Sequence, residues 1–64
     1  MTSRELLRRL RHVGAEIVTG RGKGGHVMVR LKEQVTYVPT GTGELPTGTV
    51  RSILRALGLR SDQL

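Results

Sequence analysis

The sequence predicts an α+β fold in the order α-β-β-β-α, a three-stranded antiparallel sheet with two helices on one face. Three observations carry this expectation. Apolar residues recur at helical spacing near both ends of the chain, as Leu6, Leu7, Leu10 and Val13 and again as Val50, Ile53, Leu54 and Leu57. Between them, residues 26–32 alternate: Val27, Val29 and Leu31 share one face, and His26, Met28, Arg30 and Lys32 the other. Short β-branched runs at 15–19 and 34–38 flank that stretch. With 64 residues the chain has room for one domain, 1–64. A chain of this size buries only about 60% of its unfolded surface, so its core must be used economically.

The elements follow in order. Thr2-Ser3-Arg4-Glu5 matches a capping box, with Thr2 as N-cap and Glu5 three residues on. Gly14 is placed to end the first helix in a left-handed conformation. The run 15–19 is read as a strand, and the glycine-rich segment Gly20-Arg21-Gly22-Lys23-Gly24-Gly25 as the loop to the next. Lys32-Glu33 lies near a tight turn, after which 34–38 returns as the third strand and Pro39 ends it. Thr40-Gly41-Thr42-Gly43-Glu44-Leu45-Pro46 is a connection rich in turn residues. Pro46, Thr47 and Gly48 open the last helix and Gly58 closes it, with Leu59 supplying the apolar contact of a Schellman cap. Residues 60–64 read as a polar tail. Three consecutive short strands suggest a meander. Both helices carry one apolar stripe, so both should cover Val27, Val29 and Leu31, leaving His26, Arg30 and Lys32 on the open face.

Eleven Lys and Arg against five Asp and Glu leave a net charge of +6. The sequence pI of about 11.5 lies above the value of about 9 that marks nucleic-acid binders. Such a field attracts polyanions and speeds their capture. Solubility alone also accounts for a basic surface. There are no cysteines, which excludes disulfides and thiolate metal sites. No apolar run approaches the roughly 20 residues of a membrane span. The polar start, Met1 to Glu5, lacks the apolar stretch of a signal peptide, so a cytoplasmic location is expected.

The glycine-rich loop satisfies G-x-G-x-x-G literally, but a strand follows it where a dinucleotide site needs a helix. No G-K-[ST] opens a helix either. Two readings remain: a flexible hairpin, or a loop that lets phosphate approach the backbone while Arg21 and Lys23 supply charge. His26 follows directly and points away from the core face. A lone surface histidine is usually inert. Here it stands between a basic loop and a basic sheet face, where a phosphodiester would sit. His12, beside Arg11, reads as a solvated helix residue. The histidines and carboxylates show no metal-ligand spacing, so no metal and no cofactor are expected. The five acids are scattered, and Ser3, Ser52 and Ser61 form no nucleophile elbow. Tyr37 is the sole aromatic, so stacking bases on several rings is not available; core or sheet packing is its expected role. The arginines of the first helix serve equally as phosphate contacts or as its wet face.

Gly24-Gly25-His26 before a strand, Val35-Thr36-Tyr37-Val38-Pro39, and the stretch from Glu44-Leu45-Pro46-Thr47-Gly48-Thr49-Val50-Arg51-Ser52-Ile53-Leu54 to Leu59 together resemble the HicA toxins of toxin–antitoxin pairs. The resemblance runs from the first helix to Leu59, and the E-L-P-x-G-T-x-[RK]-x-I-L motif is its most specific part. It implies a fold similar to the double-stranded-RNA-binding domain and a ribosome-independent endoribonuclease that cleaves mRNA. It also implies a HicB-type antitoxin as partner. The family's catalytic histidine corresponds to His26. Many members carry Ser or Thr just before it, whereas this chain has Gly25.

The expected chemistry is metal-independent. RNA carries its own nucleophile, the 2′-hydroxyl, and a histidine can trade protons near pH 7. His26 would act as general base, with Arg21, Lys23, Gly24, Gly25, Arg30 and Lys32 as phosphate-binding residues. The alternatives are a non-catalytic RNA-binding module and an inactive toxin relic that only binds its antitoxin. DNA would be met only indirectly, through the antitoxin complex.

Overall fold

The computed structural model describes residues 1–19, 25–41 and 43–64. Helix α1 spans Ser3–His12, strands β1, β2 and β3 span Glu16–Val18, His26–Leu31 and Gln34–Pro39, and helix α2 spans Thr47–Ala56. The strands pair antiparallel in the order β1-β2-β3, so β2 is central and the meander is as expected.

Both helices stop by the same device. Gly14 has φ +103° and Gly58 φ +73°. At the end of α1, Gly14 N–H donates to the Arg11 carbonyl at 3.1 Å and Ala15 N–H to that of Leu10 at 2.9 Å. At the end of α2, Gly58 N–H donates to Arg55 at 3.0 Å and Leu59 N–H to Leu54 at 2.8 Å. These pairs are the two bonds of a Schellman motif, which satisfies carbonyls that the helix leaves unpaired. At the start of α1, the Thr2 hydroxyl oxygen accepts from Glu5 N–H at 3.1 Å. The reciprocal half of the expected capping box is not made by Glu5. Its carboxylate turns to Arg8 and Arg9 one turn along, where two guanidinium donors compete with one backbone N–H.

The register sorts the sheet into two faces. Ile17, Val27, Val29, Leu31, Thr36 and Val38 share one, and the helices cover it. Leu6, Leu10, Ile53, Leu54 and Leu57 close over Val29 and Val38, with Ala15 and Leu45 sealing the ends. Each fully buried leucine contributes about 1.5–3 kcal/mol. Two departures from the sequence reading follow from packing and turn geometry. Lys32 is not part of β2: it takes φ +58° at the first position of the Lys32-Glu33 turn, a twist suited to a two-residue hairpin. Residues 60–64 are not merely a polar tail, because a 3₁₀ turn at Ser61–Gln63 brings Leu64 back against the core. Among the described residues, no helix is long and apolar enough to cross a membrane.

Candidate active site

The second sheet face has no helix over it. Reading across the strands, it carries Glu16, Arg30 and Val35 in one row, Val18, Met28 and Tyr37 in the next, and His26 opposite Pro39 at the end. His26 is the first residue of β2 and is exposed. The residue before it explains why the strand begins there. Gly25 has φ +84°, which an L side chain rarely adopts, so the chain leaves the sheet plane at that point. Its carbonyl still accepts the Thr40 N–H, at 2.5 Å. A Cβ built on Gly25 would lie 3.8 Å from the Gly41 nitrogen, so two residues without side chains face each other beside the imidazole. His26 therefore stands at a low, backbone-lined end of the sheet with solvent around its ring.

The open face is more apolar than its charges suggest. Val35 is 45% and Tyr37 53% exposed, among the largest exposures of any apolar side chain described. Of the core or sheet packing expected for Tyr37, the core half is corrected: the side chain lies on the open sheet face. Both faces of β3 carry apolar or β-branched residues, and pairing with β2 turns Val38 inward and Tyr37 outward. Tyr37 sits diagonally across the strand pair from His26, a spacing of about 7–8 Å that aromatic side chains can bridge.

The structure distributes the expected phosphate-binding residues unevenly. Gly25 and His26 are adjacent. Arg30 shares the open face but lies four residues along β2, about 13 Å away. Its guanidinium donates to the Glu16 carboxylate at 2.9 Å, across the β1–β2 pair. Lys32 is farther still, in the turn at the opposite end of the sheet. Arg21, Lys23 and Gly24 lie outside the described residues. No group of three His, Cys, Asp or Glu side chains among the described residues is arranged to hold a metal ion.

The basic helix face is partly self-neutralised. Arg8 contacts Glu5 at 2.5 Å and Arg9 contacts it at 2.7 Å. Hydrogen bonds from Arg8 first, then Arg9, lower the Glu5 carboxyl to about 2. The Arg8 guanidinium is raised by the same bond. These groups are exposed, so the effect is an electrostatic signature rather than a source of stability. Sequence reasoning missed Tyr37 as a neighbour of the histidine. The signal was present, since residues 35 and 37 share one parity, but the sequence does not say which parity faces inward.

A protein-family model described as the HicA toxin of bacterial toxin–antitoxin systems matches residues 3–59, from the first residue of α1 to the Leu59 cap of α2. No curated protein matches the chain.

Proposed function

Because the chain belongs to the HicA toxin family and is thus the toxin of a toxin–antitoxin system, we propose that it is an endoribonuclease that cleaves mRNA at His26. Residues 1–64 act as one toxin domain in the cytoplasm, where the substrate is. The observation that supports this most directly is the placement of His26: exposed, beside the glycine pair Gly25 and Gly41, on a chain of charge +6.

In this reading a neutral His26 takes the proton of the 2′-hydroxyl. O2′ attacks the adjacent phosphorus, the P–O5′ bond breaks, and a 2′,3′-cyclic phosphate and a 5′-hydroxyl form. The leaving oxygen takes its proton from water, from Lys23 or from His26 in its protonated form. General base catalysis of this kind is worth about 10²–10⁴-fold. Arg21 and Lys23, which precede His26 in the sequence, would supply charge to the scissile phosphate, and Gly24 and Gly25 would let it approach the backbone. Arg30 and Lys32, apart from His26 along the sheet, would meet phosphates farther along the RNA. RNA brings its own nucleophile, so no metal or other cofactor is needed for the step.

A HicB-type antitoxin would act by covering the open face. That would bury Val35 and Tyr37, block His26, and meet the free cations with carboxylates. DNA contact would then belong to the complex, through the antitoxin.

The test is cleavage of a long mRNA in EDTA by the protein and by its His26→Ala variant. Cutting by the first alone, abolished by 2′-O-methylation at the cut site, supports the proposal. If neither cuts but both retard the RNA, the chain is a binding module. If neither binds RNA yet both hold the antitoxin, it is an inactive relic.

A further inference from the structure

Helix α1 and the connection after β3 line an open groove of about 910 Å³. Leu7 lines it between Arg4, Arg8 and Arg11, and Thr40 and Gly43 form part of the other wall. The arginines stand at i, i+4 and i+7, one stripe of the helix about 10 Å long. Like charges at this spacing weaken a helix, so helix stability does not account for the stripe. Arg8 is paired with Glu5, while Arg4 and Arg11 have no ion-pair partner among the described residues.

We infer that this groove is a second RNA-backbone site, holding phosphates of the strand whose scissile bond lies at His26. The inference rests on the endoribonuclease reading and adds to it where the rest of the substrate runs. Three points select a polymer. Guanidinium groups favour phosphate through paired N–H donors. Spread in line over about 10 Å, they match successive charges of a chain. The groove also connects to the catalytic end: Thr40, in its wall, donates its N–H to Gly25, and the residue before Thr40 pairs with His26. Gly25 and Gly41, next in the chain to His26 and Thr40, approach each other there without side chains. The apolar Leu7 surface offers a ribose or base something to rest on.

The test uses the double variant Arg4→Gln/Arg11→Gln, which spares the Arg8–Glu5 pair and keeps good helix formers. Binding is measured by fluorescence anisotropy with 2′-O-methyl oligonucleotides, one long and one dinucleotide, across a salt series. Cleavage of matching unmodified RNAs is followed in parallel, and a thermal melt checks folding. The advantage of the long oligonucleotide should fall roughly tenfold at low salt. The slope of log K against log salt should fall by about 1.4, the loss of two single-strand phosphate contacts. Arg4→Lys/Arg11→Lys, which retains charge, should recover most of the slope. An unchanged slope in a folded Gln variant that still cuts RNA overturns the groove assignment alone. If the parent protein neither binds nor cuts RNA, the endoribonuclease reading falls and the groove with it. Unchanged RNA binding with weakened hold on the antitoxin overturns the assignment too, making the groove a protein-docking surface.

Discussion

Two glycine-to-alanine changes in α2 and its cap should move stability in opposite directions. Gly58 has φ +73°, where an L residue costs roughly 1–2 kcal/mol. A Cβ there would also lie 2.7 Å from Gln34 Oε1. Gln34 is exposed and that oxygen ends a flexible side chain, so it can swing away and adds little. For a domain of this size 1 kcal/mol shifts Tm by about 4–8 °C, so Gly58→Ala should melt about 4–16 °C below the parent. Gly48 lies in the first turn of α2 with ordinary backbone and nothing within 4 Å of a built Cβ. Gly48→Ala should therefore stabilise by about 0.4–1 kcal/mol, mostly by restricting the unfolded chain. Far-UV circular dichroism melts of the two variants, the parent and Gly58→Ala/Gln34→Ala decide the matter. The double variant should recover little. Recovery of most of the loss would show that the clash, not the left-handed backbone, sets the cost. A Gly58→Ala melt within about 2 °C of the parent would refute the Schellman argument itself.

Gly25→Ser, which places a hydroxyl before the histidine as many family members have it, should cost about 1–2 kcal/mol because of the +84° φ, read by urea denaturation. Leu54→Ala empties a buried site under the last turn of α2 and should cost about 2–5 kcal/mol. Against a total of roughly 3–10 kcal/mol for a chain this long, that is about half the stability, visible as a lowered urea midpoint. Glu5 should titrate near 2 by carboxyl NMR, and an ordinary midpoint near 4.5 would contradict its pairing with Arg8 and Arg9. Its folded value is depressed, so whatever stability it lends is present above about 4.5 and is lost as pH falls towards 2, more weakly in high salt.

The fold was legible wherever a rule is local. Thr2, Gly14 and Gly58 announce helix ends because capping involves only residues within a turn of one another. The alternation from His26 to Leu31 separates the faces of β2 because only one parity is apolar enough to be buried. Local rules stop where two partners compete or where packing decides. Glu5 reads as half of a capping box, yet Arg8 and Arg9 claim its carboxylate. Lys32 continues the alternation of β2 in sequence, but the turn removes it from the strand. Leu64 looks like the end of a tail until the 3₁₀ turn folds it inward. Of the candidate site, the exposure of His26 was readable from its parity. The engagement of Arg30 by Glu16 was not, since it depends on the β1–β2 register. The groove beside α1 was not readable either, because its second wall comes from residues some thirty positions away.

The sheet order has a consequence for time. Each strand pairs with the next strand in the chain, and a wide closure ties the first residues to Glu44 through the Thr2–Glu44 bridge and the Met1 ammonium. Closure entropy grows only slowly with loop length, and mixed helix-and-sheet domains fold at rates between those of helical bundles and all-β sandwiches. The sheet that displays His26 therefore needs no segment beyond Pro39 for its strands to pair.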